Sequence, residues 1–299
     1  MSITTASGNE QALLPAAPAD WELVDAEGAG PFVTRARYRR SDGVEVEWTS
    51  RRHRKSQGVR LVQVPAGAPS PVVTRIGVPR RTWWISGLFA VGSICFAVGA
   101  LPAYLNWVSP RVDGLTFFVG SILFTGAAYL SFLEAVNSPG SVAAEPVHRR
   151  RFRVAGWRPR SIDWWATVIQ LIGTVYFNVM TLLALHDNWS VSEENRLVWR
   201  PDVIGSICFL VASYLAWAEV CHSLGRLKVR ELSWWIVVLN LLGSVFFGVS
   251  AIGAYTNPDT GDVTSLRLDN GGTVAGAVCF LIAAVMLIPE ARAARAPST

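Results

Sequence analysis

Four histidines and four cysteines are all that 299 residues offer to metal, thiol or imidazole chemistry, and none stands in a zinc spacing or a disulfide framework. Cys95, Cys208 and Cys279 each follow a glycine by three residues inside an apolar run. Leu123, Tyr176 and Phe246 hold that position elsewhere, so a packing role is expected of the cysteines. Glu219, Cys221 and His222 lie close in sequence but read as structural rather than as part of a metal site. Gly-x-Ser-x-Gly and His-Glu-x-x-His are absent, and the Glu193–Glu194 pair has no histidine cluster beside it. No enzyme activity and no cofactor are therefore expected. Charged residues make up only 16% of the chain. The centres of its apolar runs hold none, which argues against a proton or sodium relay. A cleavable signal is lacking too, because residues 1–82 contain no apolar core and many arginines.

What the chain does hold is apolar residue in long runs: 83–105, 115–136, 164–185, 202–220, 234–255 and 273–289. Each suffices to cross a hydrocarbon core about 30 Å thick, which predicts an all-α membrane protein with six transmembrane helices. Arginine and lysine are placed asymmetrically. Residues 1–82 carry twelve, 137–163 six and 221–233 three, whereas the alternate connections 106–114, 186–201 and 256–272 hold four arginines against seven acidic residues. The positive-inside rule then puts both termini in the cytoplasm, with the first span serving as its own insertion signal into the plasma membrane.

The runs repeat. Two tryptophans, seven residues, Gly-[Ser/Thr] and, after two more residues, phenylalanine occur at Trp83 to Phe96, Trp164 to Phe177 and Trp234 to Phe247. Each copy is followed by Gly-[Ser/Ala]-x-x-Phe with a glutamate fourteen residues after the glycine, at Gly120 to Glu134, Gly205 to Glu219 and Gly276 to Glu290. Three repeated two-helix hairpins follow, at 81–137, 160–222 and 230–292. Gly92, Gly120, Gly173, Gly205, Gly243 and Gly276 are expected to let helix backbones approach closely. The tryptophan pairs suit the headgroup boundary. Phe96, Phe124, Phe177, Phe209, Phe247 and Phe280 all fall near mid-membrane, which predicts a shared aromatic layer. A hairpin of this length, with tryptophan at entry and Gly-Ser-x-x-Phe in its helices, resembles the YrhK-like family of small bacterial membrane proteins, which has no established biochemical activity. The resemblance implies a fused three-copy version of that module in a bacterial plasma membrane, covers the repeats but not residues 1–80, and supplies no catalytic or binding residue.

Glu134, Glu219 and Glu290 are the most informative polar residues. Fourteen steps of 100° place each about 40° from its glycine, on the helix-packing face. A carboxylate at a helix carboxyl end also needs compensation for the dipole. Arg80, Arg160 and Arg230 stand three or four residues before their tryptophan pairs. An Arg–Glu clasp at the cytoplasmic level is the expected arrangement, and an acidic ring around a vestibule is the alternative. Deeper in the runs, Gln170, Asn178 and Asn240 are expected to join helices by hydrogen bonds.

Residues 1–20 read as a disordered leader and 21–80 as a small cytoplasmic β-containing segment. Asp42-Gly43 suggests a two-residue hairpin turn opposing Arg40 to Glu45 and Arg37 to Trp48, with a further strand within Leu61–Val64. The clusters Arg51-Arg52-His53-Arg54-Lys55 and Arg149-Arg150-Arg151-Phe152-Arg153 are assigned to anionic lipid headgroups rather than nucleic acid. Mitochondrial solute carriers share the tripartite six-span plan, but their Pro-x-[Asp/Glu]-x-x-[Lys/Arg] signature is missing after each odd span. The functional reading is a non-enzymatic scaffold, sensor or partner subunit whose N-terminal segment meets lipid or another protein. The alternative is a channel or transporter for an ion or small solute along a pseudo-threefold axis.

Overall fold

The computed structural model describes residues 2–3, 14, 16–65, 78–142, 152–186, 188–225 and 227–294. After one short helix, α1 (Ser50–Arg54), come six long ones: α2 (Arg80–Gly99), α3 (Pro110–Val136), α4 (Ile162–Leu183), α5 (Arg200–Cys221), α6 (Leu232–Gly253) and α7 (Leu266–Ala293). All six are long and apolar enough to cross a membrane. Their starts carry local signals. Ser109 and Ser265 accept backbone N–H bonds at the first turns of α3 and α7, and Pro110 opens α3 where its missing N–H is harmless. Ahead of α5, Ser190 and Glu193 form a reciprocal cap, followed by a π-helical turn at Asn195–Trp199.

Each long helix packs on its sequence neighbours, and α7 packs on α2, so the six close into a ring. Glycine faces glycine where helices of a pair touch. A Cβ on Gly120 would stand 2.9 Å from Cys95 Cβ and 3.2 Å from the Gly92 carbonyl. On Gly173 it would meet Cys208 Cβ at 2.9 Å and the Gly205 carbonyl at 3.2 Å, and on Gly276 the Gly243 carbonyl at 2.9 Å. Only glycine fits such an approach. Polar side chains tie the other interfaces, those between one pair and the next. Ser121 Oγ and Thr181 Oγ1 lie 2.9 Å apart, Ser213 Oγ and Ser244 Oγ 2.8 Å, and Ser86 donates to the Ala284 carbonyl at 2.7 Å. Asn178 donates to Thr125 at 2.8 Å across α3 and α4, whereas Asn240 donates to the Ile236 carbonyl of its own helix, and Gln170 is half-buried.

The six motif phenylalanines converge inside the ring. Phe96 meets Phe124 and Phe247 edge-on at centroid distances of 5.5 and 5.8 Å, and Phe280 lies 5.5 Å from Phe247. These distances suit aromatic pairs, each adding about 0.5–1.5 kcal/mol beyond simple burial. The space left among the rings is a cavity of about 10 Å³, room for at most one water.

Before α1 and after it, the chain builds a five-stranded antiparallel sheet in sequential order: β1 (Ser2–Ile3), β2 (Glu22–Ala29), β3 (Phe32–Arg39), β4 (Glu45–Thr49) and β5 (Arg60–Gln63). Alternation sorts its faces: Ala26, Ala36, Tyr38, Val46 and Trp48 form an apolar core, while Arg35, Arg37 and Arg39 lie on the other side paired with Glu27, Glu47, Asp25 and Glu45. The register differs by one from the sequence expectation. Arg37 opposes Glu47, Arg39 opposes Glu45 and Ala36 opposes Trp48. The turn is the cause: Arg40 N–H bonds the Val44 carbonyl and Gly43 sits at φ 81°, a three-residue loop with a bulge rather than a two-residue turn. A one-residue slip moves every side chain to the other face, which is why Trp48 joins the core instead of meeting Arg37. At the outer edge of the sheet β1 pairs with β2, and Ala16 bridges Ser141.

Candidate functional site at the acidic end of the bundle

The sheet does not float free of the helices. Val142, in the connection leaving α3, completes the sheet core. Ala29 packs with Ile162 of α4 and Ala218 of α5. His222, at φ 53° just past the end of α5, bonds Thr34 of β3 at 3.0 Å. These contacts hold α1 over the end of the ring where Glu134, Glu219 and Glu290 project. Thr49 ends β4 in an extended conformation, and the chain turns at Ser50 into five residues of helix that carry three arginines and a histidine. His53 fixes the helix by bonding the Pro139 carbonyl at 2.9 Å and packing on Trp48.

The basic side chains of α1 enter the acidic ring. Arg51 makes a forked contact with Glu290, 2.8 Å from Nε and 3.2 Å from Nη2. Lys55 Nζ meets the same carboxylate, and Ser233 Oγ donates to it at 2.5 Å. Ser50 Oγ donates to Glu219 at 2.7 Å, and Arg54 reaches Glu219 at 3.4 Å and Asp163 at 3.5 Å. Arg52 turns aside to the Ala294 carbonyl at the end of α7, a favourable place for a cation at a helix carboxyl terminus. Burial opposes charge on the Arg54 guanidinium, but Glu219, Asp163, Glu134 and Glu290 outweigh it and hold its pKa above the usual value. Lys55 goes the other way: burial and the neighbouring Arg51 cation pull its pKa down more than Glu290 raises it. Forked, desolvated contacts of this kind fix geometry more than they add net stability.

Within the cluster at residues 51–55, Arg51, Arg54 and Lys55 turn to carboxylates, with only 10% of the Arg54 and 9% of the Lys55 side chain exposed. One expectation is corrected. Arg80, Arg160 and Arg230 are exposed, and among the described residues none pairs with a glutamate. Glu134, Glu219 and Glu290 are buried, whereas the three arginines are exposed at the helix entries. Glu134 is buried, yet no ion pair reaches it among the described residues; it feels the charges of Arg54, Lys55, Arg81 and Arg51 without direct contact. The second basic cluster begins outside the described residues, and of its last two residues Arg153 is tied to Asn137 by paired bonds of 2.8 and 2.9 Å.

Asp163 escaped the sequence reading. Its signal was present: the residue preceding each tryptophan pair is polar, Thr82, Asp163 and Ser233, and Asp163 and Ser233 both reach the acidic cluster. The tryptophan pairs divide their roles. Trp83, Trp84 and Trp235 are exposed, while Trp164 and Trp234 are buried, Trp164 donating to the Gly156 carbonyl at 2.8 Å. Glu219, Cys221 and His222 do not converge, since Glu219 faces α1, Cys221 packs with Trp234 and Val237, and His222 turns to the sheet. No group of three metal-ligating side chains gathers among the described residues. Comparison with known proteins gives no match to any family model, curated protein or solved structure.

Proposed function

We propose that this is a non-enzymatic, non-conducting membrane protein, a scaffold or partner subunit in which a closed helix ring carries the N-terminal sheet as its working surface. The observation that carries the reading is the phenylalanine layer: six rings pack together between the helices and leave about 10 Å³ among them, too little for a solute to pass. The ion pairs from α1 serve this role by holding the sheet in one orientation on the bundle, a use of buried charge that gives specificity. In this reading the three hairpins descend from one YrhK-like module in a bacterial plasma membrane. Both termini are cytoplasmic, with the sheet available to a protein partner or to anionic headgroups. The recurring residues and the arginine asymmetry support it.

A second reading is favoured by one specific feature, the carboxylates of Glu290, Glu219 and Asp163 stoppered by Arg51, Arg54 and Lys55. In a channel or transporter those cations would be an internal plug. Reconstitution in liposomes separates the two. Leak of potassium, sodium, calcium and phosphate equal to that of protein-free vesicles is expected of a scaffold, and saturable, protein-dependent flux of any of them would overturn it.

A further inference from the structure

The end of the bundle away from the acidic ring holds an open cavity of about 660 Å³, within the range of roughly 300–1,000 Å³ usual for small-molecule sites. Its walls come from the π-helical turn and the start of α5 on one side and from the end of α6 and the following loop on the other. Two features show that it is built rather than incidental. Trp199 donates from its indole to the Ala251 carbonyl at 2.8 Å and packs edge-on against Tyr255 at 4.9 Å. Asn195 and the Thr256 backbone exchange two hydrogen bonds, of 2.6 and 3.3 Å, which pin the loop to the turn. The π-turn itself is a rare element that recurs at functional sites.

The chemistry of the lining is one-sided. Arg196 and Arg200, four residues apart across the turn, both border the cavity and both are exposed. Among the described residues neither has a carboxylate within ion-pair distance, and no acidic side chain lines the space. Two of the four arginines in the connections at this end therefore gather in one pocket. Trp199, Tyr255 and Ile252 supply an apolar wall beside them, at the level where α5 starts and α6 ends. Paired guanidinium forks select a planar or tetrahedral oxyanion, and an aromatic wall selects a ligand with an apolar body next to it.

We propose that this cavity binds a phosphate group, either the phosphodiester of an anionic lipid headgroup or a free phosphate. The two sources separate on the purified full-length protein by native mass spectrometry, with phosphatidylglycerol as the lipid probe, phosphatidylcholine as the neutral comparison and inorganic phosphate as competitor. Phosphatidylglycerol is expected to bind in preference to phosphatidylcholine, with at least a tenfold loss of affinity in Arg196→Gln/Arg200→Gln. Arg111→Gln, which removes an exposed arginine elsewhere at that end, should leave binding unchanged, and Arg196→Lys/Arg200→Lys should restore only part of it. Displacement of the lipid by millimolar inorganic phosphate assigns the site to a soluble phosphate, and retention assigns it to the headgroup. Equal binding of both lipids, or equal binding by wild type and the double glutamine variant with thermal stability unchanged, overturns the proposal.

Discussion

Replacing Arg54 with glutamine removes a cation paired with both Glu219 and Asp163, at 3.4 and 3.5 Å respectively. With an effective dielectric of about 20, a pair at that separation attracts by about 5 kcal/mol. Glu219 is only 1% exposed, so desolvation cancels much of this in the intact protein. The variant keeps the desolvation and loses the attraction, which sets the expected cost at about 3–5 kcal/mol. Most of that loss should fall on docking of the sheet, because α1 is its principal charged contact with the ring. Thermal unfolding in detergent reads the global effect, and hydrogen exchange of the peptide covering residues 46–55 reads the docking. Glu219→Gln alone should also destabilise, and the double variant should recover a coupling of about 1–3 kcal/mol. Arg160→Gln, the partner suggested by sequence position, should not couple to Glu219→Gln. Additivity of Arg54→Gln with Glu219→Gln to within about 0.5 kcal/mol, or coupling through Arg160 instead, would refute the assignment of the ion pairs.

Gly276→Leu should lower stability by about 1–3 kcal/mol or prevent folding, since even a Cβ there would stand 2.8 Å from Phe247 and 2.9 Å from the Gly243 carbonyl; Gly271→Leu, where a Cβ meets nothing within 4 Å, should be tolerated, and equal loss in both would remove the close-packing account. Burial pushes the Tyr38 phenol up to about 12. The folded state thus holds a proton that the unfolded state releases near its ordinary value of about 10. Its stabilisation is complete below that value and fades as pH rises toward about 12, so Tyr38→Phe should flatten alkaline unfolding of the sheet, and an unchanged profile would count against burial of this group. In a variant without native cysteines, single cysteines at Asn188 and Asp262 should react with an impermeant thiol reagent in intact cells and one at Val154 should not; labelling of Val154 alone would invert the topology.

The bundle was far more legible than its cap. Helix spans and contact glycines follow from composition and spacing, because a bilayer forces long apolar runs and close packing forces small residues at fixed intervals. The phenylalanine layer followed from the same arithmetic of rise per residue. Which charge meets Glu219 or Glu290 did not. Arg160 and Arg230 stand just ahead of their helices but are exposed, and nothing in local spacing reports which way a side chain turns. Arg51, Arg54 and Lys55 lie 165 to 239 residues away from Glu219 and Glu290, a separation only tertiary docking resolves. The hairpin register was missed for a smaller reason: Asp42-Gly43 suits both a two-residue turn and a bulged three-residue loop, and the two differ by one step of pleat.

Electrical recording across a planar bilayer, on wild type and on Arg51→Gln/Arg54→Gln/Lys55→Gln side by side, tests the central claim most directly. With the axis closed by Phe96, Phe124, Phe177, Phe209, Phe247 and Phe280, the account predicts no unitary current from either protein, because freeing the acidic ring leaves the aromatic layer in place. Discrete cation currents that appear when α1 is neutralised would mean that the N-terminal helix gates a pore, and would contradict it.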